Sequence, residues 1–200
     1  MITHIVGLSL GATSSIESGV AIKEICSNKL IYVDKLFSMN DVSLFFENYP
    51  SLKSSVICIS LPWDNTMLEG KWRVHSKSYQ LINTLGSFPN TDNWTQRFST
   101  RGCDLFKKLK ENGYNICRFE TYLTRQKLNL YSNYKERSSA DCKFLQGMLR
   151  NEFGYEELPT NMMPVAQLEA ITGIILGEKL LENKTKPIFS FKDIDVINVI

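Results

Sequence analysis

Residues 3–10, Thr-His-Ile-Val-Gly-Leu-Ser-Leu, form an apolar run ending in the small, polar turn Gly11-Ala12-Thr13-Ser14-Ser15, and read as a buried strand. Similar runs follow at 18–25 and 29–36, separated by Ser27-Asn28, a pair suited to a tight hairpin. Three consecutive strands with short turns predict an antiparallel meander. Ser38 or Asn40 is placed to cap a helix over 41–48, whose Val42, Leu44, Phe45 and Phe46 supply an apolar side and which Pro50 stops. The run 55–61, Ser-Val-Ile-Cys-Ile-Ser-Leu, is almost continuously apolar, as a central strand covered on both faces must be. A helix followed by such a strand implies a crossover and a parallel neighbour.

Residues 63–101 break the pattern, with Trp63, Trp72, Trp94, Gly70, Gly86 and Pro89 around a helix predicted near 73–85. Leu105, Phe106 and Leu109 make 102–112 an amphipathic helix, with Gly113 as its stop. A fifth strand is predicted at 115–121, and helices at 138–152 and 164–182, the latter opening on Pro164. The tail 187–200 alternates and predicts a terminal strand or hairpin. The order βββ-α-β-α-β-α makes 1–200 one mixed α/β domain with an insertion at about 63–101.

Composition narrows this little. The chain has 200 residues, 43% apolar and 22% charged, with a net charge of +2, too small to point to a polyanion by itself. Five dispersed cysteines without a Cys-x-x-Cys pair argue against structural zinc. Their odd number, and an N-terminus without the charged-then-apolar order of a secretion signal, point to reduced thiols in a cytoplasmic protein. Cys58 and Cys117 lie in apolar runs and read as small core residues. No apolar stretch approaches the ~20 residues that span a bilayer, so no membrane partner is expected.

Four motifs stand out: Gly7-Leu8-Ser9-Leu10-Gly11, Ile59-Ser60-Leu61-Pro62-Trp63, Phe119-Glu120-Thr121-Tyr122, and Gln167-Leu168-Glu169-Ala170-Ile171-Thr172-Gly173. They are similar to Gly-Ile-Asp-x-Gly, Ile-Asp-x-Pro-Leu, Glu-x-Tyr-Pro and a final Asp-Ala-x-x-x-Ala helix. With the element order they make the chain resemble the ribonuclease H-like superfamily over about residues 3–183. The nearest branch is the predicted nucleases related to Holliday-junction resolvases of the RuvC type. The resemblance implies a mixed sheet, three antiparallel strands then parallel ones, flanked by helices. It also implies an acidic site at the carboxyl edge that holds two Mg or Mn ions and clamps a phosphodiester. At the matching positions Ser9 and Ser60 offer neutral hydroxyls, poor ligands for a hard cation, while Glu120 and Glu169 keep a carboxylate.

The leading expectation is therefore a degenerate site with no cofactor, in a protein that binds or scaffolds, with nucleic acid, a protein partner or a second copy as its partner. The alternative is an active metal-dependent nuclease using Glu120, Glu169 and a recruited Asp64, or Glu17 from the first turn. A third reading takes residues 7–13 as the phosphate turn of a nucleotide-binding, actin-like half domain. The absence of Gly-x-Gly-x-x-Gly disfavours a dinucleotide fold. Arg73, Lys77, Arg97 and Arg101, interleaved with Trp72, Tyr79 and Trp94, suit a nucleic-acid strand, as does a second stretch from Arg118 to Arg137 with Tyr122, Tyr131 and Tyr134. The competing reading makes the tryptophans core and the lysines solubilising. Glu169 falls beside the apolar stripe Val165, Leu168, Ile171 and Ile175 and is expected to point inward, needing a donor such as Arg73, Lys77 or Ser9. His4 and His75 are expected on the surface.

Overall fold

Three antiparallel strands open the chain: β1 (His4–Ser9), β2 (Ser18–Glu24) and β3 (Lys29–Leu36). The computed structural model describes residues 2–11, 17–60, 94–135, 137–191 and 194–200, with backbone alone for 94–101 and 189–191. The β2–β3 turn passes through Asn28 at φ 57°, a left-handed conformation that asparagine tolerates. Helix α1 (Met39–Asn48) starts in a capping box, with the Ser38 hydroxyl accepting from the Asp41 N–H and the Asp41 carboxylate accepting from the Ser38 N–H. Pro50 does more than end this helix, because it opens a 3-10 turn, Pro50–Ser54, that delivers β4 (Ser55–Ser60) parallel to β1.

Helix α2 (Trp94–Glu111) begins well before the predicted 102, and β5 (Asn115–Phe119) returns parallel to β4. The strand predicted to run to 121 is two residues shorter. It stops at Phe119 because the Glu120 side chain caps a short helix, α3 (Thr121–Lys127), which apolar periodicity did not signal. Helices α4 (Ser139–Asn151) and α5 (Val165–Leu181) follow, then the hairpin β6 (Thr185–Phe191) and β7 (Ile194–Val199). The sheet order is β3-β2-β1-β4-β5-β7-β6, with β7 parallel to β5. This is the mixed α/β sheet that the ribonuclease H-like resemblance implied, extended by the terminal hairpin. The helix predicted near 73–85 lies outside the described residues.

Strand alternation sets the two cores. Val6 and Leu8 face a cluster with Val20, Phe45, Phe46, Ile57, Ile59 and Phe106. Ile5, Gly7 and Ser9 face α5 instead, by the period of two. Helix α5 lies so close to β1 and β2 that only glycine fits beneath it. A Cβ on Gly7 would stand 1.8 Å from the Ala170 carbonyl oxygen, and one on Gly19 would stand 1.9 Å from that of Ala166. Gly7 therefore serves a helix–sheet contact inside β1, while Ala12 and Thr13 of the suggested phosphate turn lie outside the described residues. From Leu168 to Gly177 α5 is buried throughout, and Ile171, Ile174 and Ile175 each contribute about 1.5–3 kcal/mol of apolar transfer. No helix among the described residues is long and apolar enough to cross a membrane.

Candidate functional site

The parallel register of β1 and β4 makes Ser9 and Ser60 direct neighbours at the carboxyl edge of the sheet. Ser60 in turn pairs with Phe119 on β5, so Glu120 and Thr121 follow at the same edge. Glu169 comes down from the second turn of α5, on the face that Ser9 shares. Topology thus gathers all four motif positions, which are distant in sequence.

Their chemistry is closed on itself. Ser9, 3% exposed, donates from Oγ to Glu169 Oε2 at 2.8 Å. Arg137 Nη2 donates to the same oxygen at 3.0 Å. A carboxylate buried to 4% exposure requires such donors, and here one of them is a full positive charge. Ser60 Oγ and Thr121 Oγ1 lie 2.6 Å apart and share a hydrogen bond. Glu120 is buried, and its Oε2 accepts from the Leu123 N–H at 2.7 Å, where the helix dipole of α3 also favours a negative charge.

Arg137 reaches Glu169 because its loop is pinned. Its φ is 59°, and its own N–H donates to Asp141 Oδ2 at 3.0 Å. Asp141, in the first turn of α4, also receives Arg125 Nη2 at 2.8 Å, Arg125 Nη1 at 3.3 Å and Ser132 Oγ at 2.8 Å. Arg125 Nε closes the network on the Leu130 carbonyl at 3.1 Å. The Arg125 and Asp141 side chains are each 2% exposed. Glu169 raises the Arg137 guanidinium further above its ordinary value, against the opposing effect of burial. Burial pushes the Asp141 carboxyl up, but hydrogen bonds and charge from Arg125, with help from the Arg137 N–H and Ser132, hold it below its ordinary value. Two guanidiniums, Arg125 and Arg137, thus face two carboxylates, Asp141 and Glu169.

This donor set does not fit a two-metal centre. It consists of two hydroxyls, one carboxylate neutralised by a guanidinium, and one carboxylate committed to a helix cap. Among the described residues no group of three or more His, Cys, Asp or Glu side chains is placed to hold a metal ion. Glu17 does not join the site either, since its Oε2 lies 3.5 Å from Lys35 Nζ on β3. Asp64, Arg73, His75 and Lys77 lie outside the described residues, as do the side chains of Arg97 and Arg101. His4 is half-buried at the start of β1, with its Nδ1 2.9 Å from Thr3 Oγ1.

Sequence reasoning placed Arg118, Tyr122 and Arg125 in a stretch suited to nucleic acid, but all three are buried, Arg125 because it is paired with Asp141, and so they offer no surface to a strand. It missed the Thr121 hydroxyl, Asp141 and the role of Arg137. One local signal was present: Ser138-Ser139-Ala140-Asp141 is a helix-start pattern, and it fixes the residue just before it. Nothing local links Arg137 to Glu169.

No family model and no curated protein matches this chain. Among solved structures, T. thermophilus RuvC in complex with a Holliday junction substrate is similar over 86% of this chain and 90% of that one, at 10% identity and a TM-score of 0.44. A likeness of that degree leaves the chemistry to be judged from the cluster's own atoms.

Proposed function

We propose that this chain is a catalytically degenerate ribonuclease H-like domain of the predicted-nuclease branch, working as a binding or scaffolding module. The observation that carries this reading is the Arg137 guanidinium on Glu169. A fixed cation neutralises one of the two carboxylates retained at the edge where metal ions would be held. A divalent cation entering there would have to displace a tethered guanidinium, and would then meet hydroxyls at Ser9 and Ser60. The other retained acid, Glu120, has a structural task in capping α3. Nucleic acid is the partner class favoured first. In the loop that carries Arg137, Tyr131 and Tyr134 are 50% and 58% exposed, and Lys127 and Lys135 are exposed beside them in sequence.

Calorimetric titration with Mg or Mn, paired with a nuclease assay, tests the reading. The expected results are no saturable metal binding and no cleavage. Robust metal-dependent cleavage abolished by Glu120→Gln would overturn it. The combined change Ser9→Asp, Ser60→Asp and Arg137→Ala is expected to create manganese binding measurable by the same titration. Fluorescence anisotropy with a labelled single strand, repeated at rising salt, checks the partner class.

A further inference from the structure

Cys58 and Cys117 are direct partners in the β4–β5 register, and their Sγ atoms lie 3.3 Å apart. Both face α5, beside Phe119, Leu176 and Leu180. Helix α5 leaves room for this pair, because a Cβ on Gly177 would come within 3.2 Å of Cys58 Sγ. The remaining cysteines are elsewhere: Cys103 and Cys142 in the other two core clusters and Cys26 exposed. Cys58 is fully buried, whereas Cys117 is partly exposed. Strand pairing accounts for the difference, because β7 pairs with β5 only at Arg118 and Phe119 and leaves the flank at Cys117 unpaired.

We propose that Cys58 and Cys117 form a reversible thiol–disulfide modification site, in which a hydroperoxide oxidises Cys117 and Cys58 resolves it. Adjacent strands lie about 4.7–4.9 Å apart, inside the ~4.4–6.8 Å between Cα atoms that a disulfide bridges. The sulfurs need to close by only about 1.2 Å to reach bonding distance. In the first step the Cys117 sulfur attacks a peroxide oxygen. An S–O bond forms, the O–O bond breaks, and water or an alcohol leaves with the thiol proton. The Cys58 sulfur then attacks the Cys117 sulfur, the S–S bond forms, the S–O bond breaks, and hydroxide departs with the Cys58 proton as water. Two thiols and one hydroperoxide become one disulfide, one water and one alcohol or second water. The order of attack follows access, since the peroxide can reach only Cys117. The interaction with Cys117, and burial, push the Cys58 thiol up, which disfavours Cys58 as the first nucleophile. The crosslink joins β4 and β5 just below Ser60 and Glu120, and closes the chain from 58 to 117. Its constraint on the unfolded chain makes the oxidised form the more heat-stable one.

The test treats the intact, reduced protein with hydrogen peroxide, then digests it without reductant for mass spectrometry. The expected product is a linked peptide pair containing Cys58 and Cys117, an intact mass lower by two hydrogens, and a higher Tm, all reversed by dithiothreitol. Cys58→Ala is expected to stop at a Cys117 sulfenic acid that dimedone traps, and Cys117→Ser to leave Cys58 reduced. Two results in the wild-type protein would overturn the proposal. One is Cys117 driven to sulfinic acid beside a still-reduced Cys58. The other is oxidation confined to Cys26.

Discussion

Asp141 shows how much one buried side chain carries. It gathers Arg125, Ser132 and the Arg137 N–H, and so positions both the loop and the guanidinium that meets Glu169. Because Arg125 and Asp141 are each 2% exposed, Asp141→Asn leaves a buried cation without its counter-charge, at an expected cost of about 3–5 kcal/mol by urea unfolding at neutral pH. The pH dependence has a definite sign. The folded-state Asp141 carboxyl is held below its ordinary 3.8, so its stabilisation is fully present above that value and is lost as the pH falls through the folded value. Urea midpoints measured from neutral pH down to about 3 should fall below pH ~4 in the wild type and fall less in Asp141→Asn. The Arg137–Glu169 pair is worth less to stability, because the Arg137 side chain is 33% exposed and water screens it.

At the scale of elements, the contact of α5 with β1 and β2 depends on absent side chains. Gly7→Ala would drive a Cβ into the backbone of α5, which has no flexible group to yield. The expected loss is about 3 kcal/mol or more, read as a Tm drop of many degrees by circular dichroism. Gly147 is the control. It lies in α4 with nothing within 4 Å of its would-be Cβ, so Gly147→Ala should raise stability by about 0.4–1 kcal/mol in the same melt. The pair separates a glycine kept for close approach from one that merely weakens a helix.

For the whole molecule, the terminal hairpin decides where the sheet ends. Val196 and Ile194 are buried, and β7 covers part of the outer edge of β5. Truncation after Lys184 would expose that edge and the apolar surface around Phe119. The expected outcome is a lower Tm together with self-association seen by size exclusion with light scattering. The same hairpin flanks β5, the strand that leads into Glu120, while β1 flanks β4 on the other side, so the edge holding the candidate site is braced from both sides.

Sequence by itself determined the strands and most of the helices, because each is written in local periodicity: the runs at 3–10, 18–25, 29–36 and 55–61 reappear as β1 to β4 within a residue or so at each end. It also marked Ser9, Ser60, Glu120 and Glu169 as positions to compare. It could not reveal that Glu120 ends a strand by capping α3, since a carboxylate there reads equally well as exposed. Nor could it place Arg137 on Glu169, 32 residues away. That pairing depends on how α5 lies against β1 and on how Asp141 holds the intervening loop. Tertiary structure alone decided it, because partners for a buried charge are chosen by packing in space, and local pattern carries no record of which distant group arrives.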